Sequence, residues 1–231
     1  MISVQFIYDR VVKDLARKNQ SGYTSTDEFN RDLIDSENVL YEYYYLKFQE
    51  SQKISDALMP FLVEARLSIN SGFVSYPSDH RHPLEMSYLK VVNDGCDKPT
   101  EVQVPMDYLN ANEERETLIS YIRKPSLEKD VMYYLQVNKK LKVHPISLVG
   151  DVTYKYLRVP NYGFYATKID VSTATERYDE SASKNLEWES QEATNIINLM
   201  LILKGISVRD GELFQYATAK MGIEGFKPKA T

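Results

Sequence analysis

The sequence predicts an α+β fold in which N- and C-terminal helices form a helical bundle and the middle of the chain forms an antiparallel β region. Three observations predict it. Apolar residues recur at helical spacing over the first 48 residues and again towards the end, from residue 186. Between them the period drops to two, and the alternating runs are joined by turns too short for crossover helices. The resulting order is helices, then strands with one inserted helix, then helices. The division that follows is 1–60 as an N-terminal helical part, 61–171 as a mainly β region, and 172–231 as a polar loop with C-terminal helices. The first and last parts are expected to form one helical domain.

Each element has its own signal. Val4, Ile7, Val11 and Leu15 lie on one side of a helix over 3–18, with Ser3 placed to cap it. Ser25 followed by Glu28 is a capping box. It opens a helix of ~24 residues, roughly 36 Å long, with Phe29, Leu33, Leu40 and Tyr44 on one stripe and Ile34, Tyr41, Tyr45 and Phe48 on a second. Two stripes require two neighbours. From residue 61, Phe61, Val63, Ala65, Leu67 and Ile69 alternate with more polar residues, as in a half-buried strand. "LEMSYLKVVN" and "TEVQVP" read as strands paired across the turn "DGCDKP", and "MDYLNANEERETL" as a helix capped by Asp107. "VMYYLQV", "LKVHP" and "DVTYKYLRVP" complete the strands. Residues 172–186 read as a polar loop. "LEWESQEATNIINLMLILKG" reads as a helix stopped by Gly205, with Glu187, Glu189 and Glu192 at its start and Lys204 at its end, as the helix dipole prefers. Ser207 and Asp210 are placed to open a last helix carrying Leu213, Phe214, Ala217 and Met221.

Composition narrows the function classes. At 43 % hydrophobic and 26 % charged, the chain can build a sizeable core. A net charge of −5 argues against a generally basic nucleic-acid binder. One cysteine, Cys96, cannot make a disulfide framework within one chain, and aspartates flanking it at 94 and 97 do not favour a reactive thiolate. No run approaches the ~18 to 20 apolar residues of a membrane span, and the first residues lack a signal-peptide layout. Phosphate-cradling glycine loops, nucleophile elbows and HExxH are absent from the sequence. The nearest approach to a metal cluster is "HRH", where His80 and His82 share one side of an extended segment but lack a third ligand nearby. The bland reading, structural histidines, outweighs it. Asp210 and Glu212 read as cap residues, and His144 has no nucleophile that spacing can identify. No catalytic residue, metal or cofactor is expected, and the chain is read as a non-enzyme.

The tyrosines are the compositional oddity: 18, against one tryptophan. A tyrosine needs a surface for its ring and a partner for its hydroxyl, and both a core and a partly wet interface supply these. Tyr41, Tyr44, Tyr45 and Phe48 are the candidate subunit-interface residues. A stacking platform for single-stranded nucleic acid would need interleaved cations, and this stretch offers Glu42 and Lys47 alone.

Several stretches, in order, resemble a known group. "KNQSGYTSTDEFN", "ALMPFLVEARL" and "SYPSDHRHPLEMSYLKV" are similar to the opening of head-to-tail connector ring or adaptor proteins of tailed bacteriophages, crAss-like and podovirus-type. "EVQVPMDYLN", "KPSLEKDVMYYLQV", "LKVHPISL", "TYKYLRVP" and "LEWESQEATNIINLMLILKGISVRDGELFQYA" resemble later parts of the same group. The resemblance covers roughly residues 18–220 and lies in the order of pieces, none of which is a catalytic signature. It implies a virion structural protein made in the bacterial host cytoplasm and placed in the tail or neck. Copies form a homo-oligomeric ring, dodecameric in the relatives, against the portal protein or other tail rings. Double-stranded DNA passes non-specifically through its channel. A closed ring uses a heterologous interface, which a long helix with two apolar sides could supply. A negative chain suits sliding DNA, because a cationic lumen would hold phosphates. The alternatives are a small hydrolase or metal enzyme using His80, His82 or His144, and a monomeric assembly chaperone.

Overall fold

The computed structural model describes residues 1–18, 25–48, 56–92, 100–170, 172 and 174–207. The chain divides into two compact units, Phe61–Val159 and the combination of Met1–Pro60 with Pro160–Thr231. Residues 160–171 therefore belong with the two ends of the chain.

The central unit is a seven-stranded sheet. Its strands are β1 (Leu62–Ser68), β2 (Phe73–Ser75), β3 (His80–Val92), β4 (Thr100–Tyr108), β5 (Tyr133–Val137), β6 (Lys140–His144) and β7 (Asp151–Arg158). Their order is β1-β7-β3-β4-β5-β6-β2. The first and last strands of this order are neighbours in sequence, joined by a tight turn in which Ser71 and Gly72 take positive φ and Asn70 bridges Phe73. The sheet is thereby curled until nearly closed, like a barrel. Met86, Leu141, Val143, Val152 and Tyr154 fill its interior. Alternation explains this filling: along β1 the even positions are exposed while Val63, Ala65 and Leu67 turn towards the core. The β5–β6 hairpin turns at Asn138 and Lys139, both with φ > 0, as a two-residue connection between right-twisted strands requires.

The other unit holds α1 (Val4–Lys18), α2 (Thr26–Leu46), a short hairpin of β8 (Thr167–Asp170) and β9 (Thr175–Tyr178), and a C-terminal helix, Ala193–Ser207. The capping box forms as read: Ser25 Oγ accepts from the Glu28 amide at 3.3 Å, and the Glu28 carboxylate accepts from the Ser25 amide at 3.4 Å. The buried side of α2 comprises Phe29, Asn30, Leu33, Ser36, Glu37, Leu40, Tyr41 and Tyr44, one continuous helical stripe that includes polar members.

The expected helical bundle around a central antiparallel region is corrected by this architecture. The sheet is the dominant element. Among the described residues, three helices are longer than the six-residue α3 (Glu114–Ile119). Extended segments, as well as helices, cover them: Leu186 exchanges backbone hydrogen bonds with Ile2, and Tyr165 stacks on Tyr8 with 4.0 Å between ring centroids. Nor is the sheet wholly antiparallel, since β4 and β5 run parallel where Asp107 and Tyr108 face Tyr133 and Tyr134.

Three local expectations also change. Asp107 caps no helix; it lies in β4, and α3 starts at Glu114 without a side-chain cap. The stretch from 172 is not all loop, because Thr175–Tyr178 pairs back on Thr167–Asp170. The C-terminal helix, α4, starts at Ala193 after a 3-10 turn, and Gly205 lies inside it rather than beyond its end. Leu186 and Trp188 are buried with the residues between and beside them less so, a strand-like alternation set by pairing with Ile2, and this delays the helix. The helix expected after Ser207, with Asp210 to Met221, and the Cys96 turn lie outside the described residues.

Candidate functional site

The tyrosines chosen from sequence separate into two environments. Tyr41 is fully buried and Tyr44 nearly so, both edge-on to Trp188 at 6.4 and 6.1 Å. The Tyr44 hydroxyl donates to the Glu192 carboxylate, and Asn195 Nδ2 donates to the same carboxylate at 2.8 Å. Burial, followed by the Glu192 hydrogen bond, pushes the Tyr44 hydroxyl well above its ordinary pKa. These two residues are placed in the core of their own unit. Tyr45 and Phe48 are half-buried near the helix end.

Beside them sits a group that the apolar pattern did not announce. Glu37 has no exposed surface, accepts from the Gly163 amide at 2.9 Å and from Trp188 Nε1 at 3.1 Å, and has its carboxyl pushed up to about 7, chiefly by burial. Its place on the buried stripe of α2 was readable from spacing, had polar residues been allowed there. Gly163 is required by closeness. A Cβ there would lie 2.6 Å from Leu186 Cδ1 and 3.1 Å from Leu33 Cδ2. Gly163→Ala is therefore expected to destabilise the protein by about 1–3 kcal/mol, read as a lower urea midpoint.

The "HRH" stretch opens β3, with a register irregularity between His80 and His82. His80 stacks on Tyr76, and its Nε2 lies 2.8 Å from the Tyr154 hydroxyl. Burial lowers its pKa below the ordinary histidine value. The neighbouring Tyr156 hydroxyl donates to Asp79 at 2.9 Å and is pushed up to about 12, mainly by burial. No group of three His, Cys, Asp or Glu side chains is placed to hold a metal among the described residues. His144 is buried, with Nε2 2.9 Å from Glu114 Oε1, which also accepts from Lys142 Nζ at 2.6 Å. The Lys142 ammonium holds the Glu114 carboxyl below its ordinary range.

This last cluster positions the most exposed apolar feature of the central unit. Between β4 and β5 the chain makes an excursion through α3. Glu114 ties the start of α3 to β6, and Thr117 is buried beneath it. With the helix held by that face, its far end and the following turn project outwards: Ile119 is 72 %, Tyr121 93 % and Ile122 83 % exposed. Single exposed apolar residues are ordinary; here three lie within four positions on a tethered turn. Sequence reading took Leu118 as the end of a helix and did not single out this turn.

In the unit of the chain ends, α1 and α4 border an open groove of about 630 Å³, with Ile2, Phe6, Ile197 and Leu201 among its lining residues. Arg10 lies over the Phe6 ring at 5.5 Å.

Comparison with protein-family models and with curated proteins finds no match to this chain. Among the described residues, no helix is long and apolar enough to cross a membrane.

Proposed function

We propose that this protein is a virion structural component that assembles into a homo-oligomeric ring at the phage portal–tail junction or along the short tail, enclosing a passage for double-stranded DNA. The ordered set of segments similar to connector ring and adaptor proteins supports this reading. The observation that carries the assembly reading is the exposed turn at Ile119, Tyr121 and Ile122, held out from the sheet by Glu114, Lys142 and His144. His80, His144 and the buried Glu37 carboxyl, by contrast, are engaged in hydrogen bonds within the fold. The negative charge of the chain, −5, favours a lumen that does not retain phosphates. The ring's partners are the portal protein or neighbouring tail rings, and its location is the neck or tail of the particle.

The test is direct imaging of the purified full chain by negative-stain electron microscopy, with light scattering at matched concentration. End-on rings with a central hole are expected. A chain that stays monomeric across the micromolar range, and is absent from purified particles by mass spectrometry, overturns this reading in favour of a monomeric chaperone.

A further inference from the structure

We infer that the groove between α1 and α4 is a binding site for a small amphiphilic carboxylate, an acid with an apolar chain. Every residue lining it belongs to the unit of the chain ends, so the site is complete within one copy and needs no ring. Its walls are two helical stripes: Phe6 and Arg10 on α1, and Thr194, Ile197, Asn198 and Leu201 on α4. Two helices that served only to pack would face each other with apolar stripes. Arg10 and Asn198 break that pattern, and each points to a ligand.

Asn198 stands near the middle of α4 and is 3 % exposed. Asn195, one turn earlier, donates to the Tyr44 hydroxyl and to the Glu192 carboxylate. The Asn198 amide, by contrast, has no hydrogen-bond partner among the described residues, and it lines the groove. A buried amide without a partner is destabilising, and asparagine is a poor helix former besides. The first of these costs disappears when a bound group supplies the missing hydrogen bond.

Arg10 is the one charged side chain lining the groove, in a chain of net charge −5. Among the described residues it makes no ion pair; its guanidinium lies over the Phe6 ring at 5.5 Å. Charge complementarity therefore selects an anion. A planar carboxylate matches the guanidinium fork, and the Asn198 amide can donate to such a head group. Ile2, Phe6, Ile197 and Leu201 supply apolar surface for the chain of the acid. The groove's volume of about 630 Å³ falls in the ~300–1,000 Å³ range of small-molecule sites.

The test is isothermal titration calorimetry of the full chain with sodium octanoate and with 1-octanol, an uncharged alcohol of equal carbon count. Octanoate is expected to bind saturably, one per chain, and at least about tenfold more tightly than the alcohol. Arg10→Gln is expected to erase that preference. Asn198→Leu is expected to weaken octanoate binding at least about tenfold and to leave the urea midpoint unchanged or higher, the opposite of what an amide that holds the fold would give. Thr194→Trp, at an exposed position on the groove wall, is expected to block both ligands. Absence of saturable binding, equal affinity for the alcohol, or unchanged octanoate binding in Arg10→Gln or Thr194→Trp overturns the site. A lowered urea midpoint in Asn198→Leu overturns the role of that amide.

Discussion

Replacing Trp188 by alanine is expected to destabilise the unit built from the two chain ends by about 4 kcal/mol. Trp188 is the largest fully buried side chain, and its indole meets Tyr41 and Tyr44 edge-on. Truncation removes most of that contact and leaves a cavity beside Tyr41 and Tyr44, the latter held in place by its hydrogen bond to Glu192. It also removes one of the two donors to Glu37 Oε atoms. Trp188→Phe keeps part of the packing but loses the N–H, so its loss should be smaller. Urea or thermal unfolding followed by circular dichroism measures both. A loss below about 1 kcal/mol for the alanine variant would show that this ring is not the centre of its unit.

Glu37 gives the second large effect, and its direction is fixed by linkage. The folded protein holds the Glu37 proton up to about pH 7, whereas the unfolded chain releases it near the ordinary value of 4.5. Between these values the folded state binds more protons than the unfolded state, so stability falls as pH rises through the window. The change amounts to ~3 kcal/mol across the whole window and levels off above it. At low pH, then, this group favours folding most. The sequence contains one tryptophan, and it donates to this carboxyl, so its fluorescence reads the titration site by site. A transition in Trp188 emission with a midpoint near 7, abolished in Glu37→Gln, is the expected result. A flat fluorescence profile from pH 5 to 8, with unfolding midpoints that do not move, would rule out the titration. Because Glu37 and Trp188 touch, their double variant should not be additive.

What could be read from the sequence was what is decided locally. Ser25 and Glu28 satisfy each other within one turn of helix, so the start of α2 is written in four residues. The alternation of β1 and the turn at Asn138 and Lys139 are equally self-contained. Misreadings arose where a distant partner decides. The reading of residues 106–108 as the start of the following helix fails because Asp107 and Tyr108 pair with Tyr133 and Tyr134, and strand continues. Leu186 would suit a helix had Ile2 not claimed its backbone groups. The dominance of the sheet was hidden for the same reason: it depends on the three-residue β2 pairing with β6, a partner more than sixty positions away in sequence. The candidate contact residues show the limit in another form. Tyr41 and Tyr44 differ little from Tyr121 in sequence terms, yet the first two are covered by Trp188 and the last stands in solvent.

The sheet's curl has a bearing on how such a molecule behaves when many copies are made together. An open sheet offers a row of free amides and carbonyls on which any passing extended chain can template itself. Here one terminal strand of the order is only three residues long, and the other carries Glu64 and Arg66, the latter tied to Asp151 and Glu101. Little backbone is left on which indiscriminate fibre growth could start. Any contact that this sheet makes with another molecule is then left to side chains rather than to backbone pairing.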